Sequence, residues 1–298
     1  MKRFLLLVAL VALCLPLVAG NAPQRPRILG IARVRISTTN IAAARVFYSQ
    51  VLGPPQSCQG CDLTFPMKGY LQIFSSPPSH PGPSNLVDEI AFATDDIKEM
   101  EKYLRARGIS PVNGPDTASG YLAVPDPEGH HITFAQVPLR APLALLRYPS
   151  ESSSMSLIHA GIVVHDRAAE DRFYKDILGF HVYWHGGMKD GEDNWVDMQV
   201  PDGTDWIEYM LGVSPDASHK TLGVMNHIAL GVPDIHAAQQ QLIKNGWKGA
   251  EEPKIGRDGK WQLNLYDPDE TRVELMEFKP TKEPCCSPYT GTHPGTRP

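Results

Sequence analysis

The chain has 298 residues, of which 42% are hydrophobic and 20% are charged, and its formal net charge is −5. This composition is typical of a globular chain that is long enough for two domains. The mildly acidic balance, without a cluster of Lys and Arg, argues against a nucleic-acid partner.

Residues 1–20 have the three parts of a secretory signal peptide, with Lys2 and Arg3 followed by a run of Leu, Val and Ala and then small residues. The apolar run is short for a membrane span, and no second charged flank follows it closely. Cys14 does not follow a small residue, which argues against a lipoprotein anchor. We therefore expect cleavage near Gly20 and a secreted or periplasmic protein without a stable membrane anchor; a retained N-terminal anchor is the alternative.

Four cysteines follow the predicted cleavage site: Cys58, Cys61, Cys285 and Cys286. In an oxidising compartment the CxxC sequence at 58–61 favours a local disulfide over a zinc pair, because no second Cys or His pair follows at the spacing of a zinc ribbon. Cys285 and Cys286 could be free, bridged to each other or paired with the first two.

One order of elements recurs along the chain. "ARVRISTTNIAAARVFYSQVLG" parallels "HAGIVVHDRAAEDRFYKDILG", with Tyr48 standing where Tyr174 stands. Each stretch predicts a strand that leads into a helix, with Gly53 or Gly179 as the C-cap. "DEIAFATDDI" and "DPEGHHITF" likewise match "NHIALGVPDI" and "DPDETRVEL", and "ATDDI" and "GVPDI" predict strand-to-helix junctions with Asp near the N-cap. The sequence thus predicts four similar modules, two per domain.

Four residues in the second half of the chain fall into two half-copies of one pattern. Each half has a His near the start of an alternating apolar run and a Glu inside a later one, namely His159 and Glu208 in "LIHAGIVV" and "DWIEYML", and His227 and Glu274 in "MNHIALGV" and "RVELMEF". The His-to-Glu separations in the two halves are nearly equal. The pattern indicates a duplicated unit in which each copy supplies one imidazole and one carboxylate.

These stretches resemble the vicinal oxygen chelate superfamily, which includes glyoxalase I, methylmalonyl-CoA epimerase, extradiol dioxygenases and bleomycin-resistance proteins. The resemblance implies an α+β fold of two tandem glyoxalase-like domains, each built of two βαβββ modules whose curved mixed sheet forms a cup. It also implies a divalent metal in the cup, held by residues on the strands that begin and end each module. His159, Glu208, His227 and Glu274 stand at those four positions.

The donor set agrees with a metal site. Two imidazoles and two carboxylates suit one first-row divalent ion, namely Zn, Ni, Co, Mn or Fe(II), and leave coordination positions for water or substrate. Taken singly, a Glu on a strand is commonly a solvated residue and a His a packed core residue. All four in repeated register favour a metal site.

These patterns divide the chain into five segments. We expect a signal peptide at 1–20, a degenerate glyoxalase-like domain at 27–137, a Pro- and Ser-rich linker at 138–155, a metal-binding glyoxalase-like domain at 156–279 and a disordered tail at 280–298.

The first domain lacks the ligand set. The corresponding positions are Ala32 or Arg33, depending on a one-residue gap, then Gln72, Glu89 and Thr133. Glu89 alone is a plausible ligand, and one carboxylate does not hold a divalent ion. His130 and His131 lie just upstream of Thr133, where exposed or packing roles are expected. We expect this domain to be structural or to offer a metal-free pocket.

The resemblance to glyoxalase I carries the leading functional hypothesis, because both Glu positions are filled. It implies a secreted, divalent-metal-dependent enzyme of lyase or isomerase type that acts on a small oxygenated substrate by proton transfer, with Glu274 or Glu208 as the base. Val163 and Gly212 stand where glyoxalase I has Arg and Asn for glutathione, so the substrate is expected to differ.

Two alternatives remain open. An extradiol-type ring-cleaving dioxygenase would use His159, His227 and Glu274 as a facial triad, but Asn264 stands where that family has a Tyr, and Glu208 would add a fourth ligand. A non-catalytic, resistance-type protein that binds a small molecule is the second alternative. The chain is expected to be a monomer or a homodimer.

Strand residues near the ligands are candidates for the pocket, although aromatic side chains on such strands also form core. They are Trp195, Met198, Trp206 and Tyr209. His165, His181 and His185 flank the same region and are expected at the surface or behind the ligands.

Overall fold

The computed structural model describes residues 23–56, 61–67, 69–75, 87–112, 120–137 and 156–295. The predicted signal peptide and the predicted linker lie outside these ranges. Within them, none of the helices is both long and apolar enough to cross a membrane.

In the described part of the chain, the first domain is a six-stranded mixed sheet with two helices. Its elements are β1 (Ile28–Ser37), α1 (Ile41–Leu52), β2 (Leu63–Met67), β3 (Gly69–Phe74), β4 (Val87–Thr94), α2 (Ile97–Ala106), β5 (Tyr121–Pro125) and β6 (His131–Gln136). The strand order is β2-β3-β1-β4-β6-β5. The antiparallel pair β1–β4 joins two halves, in each of which the first strand pairs in parallel with the last strand.

The second domain repeats this arrangement in an eight-stranded sheet. Its elements are β7 (Ser156–Val163), α3 (Arg167–Glu170) continued by a π-helix (Asp171–Ile177), β8 (His181–Gly186), β9 (Trp195–Gln199), β10 (Trp206–Met210), α4 (His219–Met225), β11 (His227–Val232), α5 (Ile235–Lys244), β12 (Lys254–Ile255), β13 (Trp261–Tyr266) and β14 (Arg272–Glu277). The strand order is β12-β13-β14-β11-β7-β10-β9-β8. The predicted α+β class is confirmed, with two βαβββ modules in this sheet.

Local sequence signals set the ends of α1, α2 and α5 as predicted, whereas the π-helix has Leu178 rather than Gly179 as its C-cap. Asp96 and Asp234 cap α2 and α5, and the side chain of Asp234 accepts a hydrogen bond from the Ala237 N–H at 2.9 Å. Gly53 ends α1 with a φ of 79°, a conformation that glycine adopts without the strain of a side chain.

Two reciprocal tyrosine–aspartate hydrogen bonds connect the two domains. Tyr48 on α1 donates to the Asp267 carboxylate at 2.9 Å, and Tyr174 on the π-helix donates to Asp126 at 3.0 Å. Both hydroxyls are fully buried, so loss of either acceptor would leave an unsatisfied polar group at a cost of about 1–3 kcal/mol. Because Tyr48 corresponds to Tyr174 and Asp126 to Asp267, the two contacts are related by the pseudo-symmetry of the duplicated chain.

Residues 280–295, which fall in the predicted disordered tail, pack against the second sheet. Tyr289 packs on Tyr183 with ring centroids 4.7 Å apart, and its hydroxyl donates to the Asp258 carbonyl at 2.8 Å. Gln199 donates to the Thr292 carbonyl at 2.9 Å. Composition predicted disorder, but these aromatic and polar anchors on the second sheet hold the segment in place.

The cysteines of this segment are bridged to each other by a disulfide between Cys285 and Cys286. Cys61 is also disulfide-bonded. Cys58 lies outside the described residues, so the predicted 58–61 bridge stays a prediction.

Candidate functional site

Sheet register brings the four candidate ligands to one face of the second sheet. Glu208, Gly161 and His227 lie side by side on β10, β7 and β11. His159 lies on β7 two residues before Gly161. It forms a second row with Glu274 on β14, and strand β11 lies between these two residues. Because side chains on a strand alternate with a period of two, both rows point to the same side.

The four side chains converge. The Nε2 atoms of His159 and His227 are 3.0 Å apart, and His227 Nε2 is 3.0 Å from Glu208 Oε2. Glu274 Oε2 lies 3.7 Å from each Nε2 atom. The two imidazoles and Glu274 are buried, and the Glu208 side chain is 14% exposed. The site is therefore a largely enclosed cluster that opens at Glu208.

Burial and neighbouring charges shift the pKa values of these groups in different directions. Burial is the largest cause that lowers the pKa of both imidazoles; the next is the charge of His227 for His159 and the charge of Arg272 for His227. Burial raises the pKa of Glu274 to about 8. Burial alone would also raise the pKa of Glu208, but its hydrogen bond with His227 and the charge of Arg272 bring it below its usual range. The two carboxylates thus differ in basicity, as in sites with separate acid–base roles.

The donor set fits a first-row divalent ion. Neutral imidazole is the form that ligates a metal, and burial holds both rings neutral. His227 Nδ1 lies 2.8 Å from the Met225 carbonyl, which can only accept, and 2.8 Å from Arg272 Nη2. In the tautomer that donates from Nδ1 to this carbonyl, Nε2 presents its lone pair to the cluster. One potential ligand atom each from His159, Glu208 and His227 lies within 4.8 Å of the others, a spacing that one ion can bridge with small side-chain shifts.

A cavity of about 330 Å³ opens beside the cluster. Its volume is at the lower end of the range for small-molecule sites. The first module lines it with Trp184, Trp195 and Trp206, and the second module with polar and charged side chains. A ligand of moderate size can therefore reach the four candidate ligands.

Arg272 belongs to the site, although it is not among the ligands that the sequence predicts. It lies two residues before Glu274 on β14 and therefore shares its face. Its Nη2 atom is 2.7 Å from His227 Nε2 and 3.9 Å from Glu208 Oε2. A bound ion would compete with this guanidinium for the His227 lone pair. Alternation along β14 could have revealed Arg272 once Glu274 was identified.

Lys260 is a second residue that the sequence did not reveal. Its side chain is fully buried, and its ammonium lies 4.5 Å from the ring centroid of Trp206 and about 5 Å from those of Tyr183 and Tyr289. The chain-end segment supplies Tyr289, so this cation–π enclosure depends on a long-range contact that no local pattern predicts.

Two of the four pocket candidates line the cavity and two do not. Trp195 and Trp206 line it, as predicted. Met198 and Tyr209 belong to the hydrophobic core, and both are fully buried. The reason is strand alternation, since Tyr209 neighbours Glu208 in sequence and must point to the opposite face. The three flanking histidines lie outside the cluster; His165 pairs with Glu128, and His185 with Asp193.

The equivalent cup in the first domain is closed by an internal ion pair. Register places Arg33 where His159 stands and Arg35 where Gly161 stands, which resolves the one-residue gap. Both guanidiniums contact Glu89, the position that corresponds to His227. At the positions that correspond to His159, Gly161 and His227, this domain therefore has an ion-paired cluster of two arginines and one carboxylate.

Comparisons with known proteins agree with this architecture. The sequence model of the Glyoxalase/Bleomycin resistance protein/Dioxygenase superfamily matches residues 156–275. A probable lactoylglutathione lyase from Synechocystis sp. (strain ATCC 27184 / PCC 6803 / Kazusa) is 29% identical over 143 residues, which are 43% of this chain and 100% of that protein.

Solved structures of extradiol dioxygenases share the fold. A homoprotocatechuate 2,3-dioxygenase variant from Brevibacterium fuscum superposes with a TM-score of 0.65 at 22% identity, covering 92% of this chain and 75% of that one. The enzyme from Arthrobacter globiformis gives 0.62 at 20% identity, covering 87% and 82%. Identity at this level shows the fold alone. The superfamily match itself covers residues 156–275, the second domain, and the shared fold extends over most of the chain.

Proposed function

We propose that the chain is an exported, divalent-metal-dependent enzyme that moves a proton at a carbon next to a substrate carbonyl. The observation that carries the proposal is the convergence of His159, Glu208, His227 and Glu274 at the floor of the cavity. His159 and His227 would hold the ion together with the two carboxylates. The N-terminal sequence supports export.

A divalent ion held there would act as a Lewis acid and polarise a substrate carbonyl. The protein side chains would do the rest. Glu274 is buried and lies 3.7 Å from the Nε2 atom of each imidazole, so it would accept the substrate proton beside the bound ion. Glu208 faces the open side and would stay ionised, which suits a permanent ligand. The tryptophans of the cavity would exclude water from the substrate.

Ring cleavage by an extradiol dioxygenase is the second candidate. The two-domain fold, which covers most of both chains in the superpositions, favours it. A fourth ligand position at Glu208 counts against it, because oxygen and a catechol together need open coordination positions. Asn264 also counts against it. This residue pairs in register with Glu274 and stands where the resemblance to extradiol dioxygenases calls for a tyrosine.

One experiment separates these candidates. The protein is loaded in turn with Mn, Co, Ni, Zn and anaerobically with Fe(II), and 2-hydroxycarbonyl and 2-oxoaldehyde compounds are followed by NMR in D₂O for loss of the proton next to the carbonyl. We expect metal-dependent deuterium incorporation that Glu274→Gln abolishes. Oxygen uptake with catechols by the Fe(II) form, without deuterium exchange, would replace the proposal with the dioxygenase.

A further inference from the structure

The cavity has two chemically different walls. The first module contributes the indole rings of Trp184, Trp195 and Trp206. The second module contributes the cationic side chains of Lys254 and Arg257. Since each module supplies one half of the cup, the contrast follows the seam between β7 and β11.

The aromatic wall continues to the mouth of the cavity. Met188, in the turn after β8, lines the cavity and is 69% exposed, the largest exposed fraction among the large hydrophobic side chains that the structure describes. An apolar side chain left open at a cavity mouth gains most from a ligand that covers it. The wall therefore suits a flat apolar or aromatic body.

The cationic wall has charge available for a ligand. Lys254 makes no ion pair with any residue in the described ranges. Arg257 pairs with Asp190, but that carboxylate is 91% exposed, and surface pairs of this kind contribute little. The Arg257 Nε atom is buried and has no hydrogen-bond partner.

The balance of charge around the cavity leads to the same conclusion. Four carboxylates line it, namely Asp197, Glu208, Asp258 and Glu274. Four cations oppose them: Lys254, Arg257, Lys260, which lies behind Trp206, and Arg272. A divalent ion at the proposed site would add positive charge to this lining, which favours an anionic ligand.

We infer that the cavity takes an organic anion with an aromatic or flat apolar body, whose carboxylate faces Lys254 and Arg257 and whose body lies on Trp195 and Met188. The inference rests on the proposed function, because it specifies the substrate class of that site. A substrate oxygen next to the ionised group would lie towards the His159–His227 cluster.

The test is a binding measurement that does not need turnover. Binding of phenylglyoxylate, its neutral methyl ester and pyruvate is followed by tryptophan fluorescence, with the Trp184 and Trp206 signals retained in every variant. We expect phenylglyoxylate to bind at least about tenfold more tightly than its ester, because a charge-assisted contact is lost in the ester. Pyruvate, which has the charge without the ring, should bind more weakly than phenylglyoxylate.

Variants of the cationic wall and of the aromatic wall test which side chains cause the preference for phenylglyoxylate. Lys254→Gln combined with Arg257→Gln should bring the acid-to-ester ratio to within about twofold, and Trp195→Leu should weaken phenylglyoxylate alone. Lys244→Gln, an exposed cation on α5 away from the cavity, is the matched control and should keep the wild-type ratio.

Equal binding of acid and ester, or saturable binding of neither, would overturn the inference. An intact ratio in protein that holds no metal would instead contradict the proposed function and leave the anion site standing. The metal content of each sample, measured in parallel, distinguishes the two failures.

Discussion

Gly161 lies directly opposite His227 in the sheet, and the imidazole ring fills the space where a side chain at 161 would begin. A Cβ atom added to Gly161 would lie 2.1 Å from both Nδ1 and Cε1 of that ring. In the first domain the equivalent residue is Arg35, whose guanidinium pairs with Glu89, the residue that corresponds to His227. Gly161 binds no metal itself, but its lack of a side chain leaves the space that the His227 ring occupies.

Gly161→Ala is expected to lower metal affinity without removing a ligand. The methyl group must push the His227 ring away from Glu208, and displacement of an oriented ligand typically costs about 10–100-fold in affinity. Competition with a chelator measures the effect. Gly295→Ala, where an added Cβ meets nothing within 4 Å, is the control. Wild-type affinity in Gly161→Ala would show that His227 does not bind the metal in this orientation.

Glu89→Gln is expected to destabilise the first domain and to leave the metal content unchanged. Glu89 is 4% exposed and accepts from both Arg33 and Arg35, so the substitution leaves two guanidiniums without a counter-charge, at a cost of about 2 kcal/mol or more. Denaturant unfolding gives the free energy of unfolding, and elemental analysis gives the metal. Loss of metal in Glu89→Gln would contradict the assignment of the metal site to the second domain.

Glu170→Gln is expected to stabilise the protein at pH 8 but not at pH 5. Burial, followed by the charges of Asp126 and Glu128, raises the pKa of Glu170 from 4.5 to about 9. Between these values the folded chain keeps a proton that the unfolded chain releases, so this group makes folding less favourable as pH rises. Glutamine keeps an acceptor for the Glu128 N–H, which donates to Glu170 Oε1 at 3.1 Å.

Thermal unfolding of wild type and Glu170→Gln at both pH values measures this effect. The variant should unfold at least about 2 °C higher at pH 8 and at the wild-type temperature at pH 5. The same difference at both pH values would mean that the proton on Glu170 does not govern the contact between the domains.

Tyr289→Ala is expected to cost about 2 kcal/mol of stability, because it removes the ring on Tyr183 and opens the enclosure of Lys260. Urea unfolding measures the loss. Tyr266→Ala, at a tyrosine that is 43% exposed, should change stability by no more than about 0.5 kcal/mol. An equally small effect of Tyr289→Ala would restore the interpretation of a disordered chain end.

Much of the site could be predicted from the sequence because its signals are local and repeated. His159, Glu208, His227 and Glu274 each sit in an alternating apolar run, and the duplication supplied a second copy for comparison. The caps at Asp96 and Asp234 were predicted for the same reason.

What the sequence did not reveal depends on strand register and on long-range contacts. The position of Tyr209 on a ligand-bearing strand predicts a pocket residue, whereas the strand register places it in the core behind Glu208. The Tyr174–Asp126 hydrogen bond and the packing of Tyr289 on Tyr183 join residues that are far apart in sequence. Neither has a local pattern, so only the folded chain shows them.

The most direct test of the metal-dependent function is the metal content of the mature protein, purified without chelator beside the His159→Ala/Glu274→Ala double variant. We expect close to one first-row divalent ion per chain in the wild type and none in the variant, with equal far-ultraviolet circular dichroism showing that both are folded. Absence of metal from both proteins, even after reloading, would contradict the central claim and leave a protein that binds its ligand without a metal.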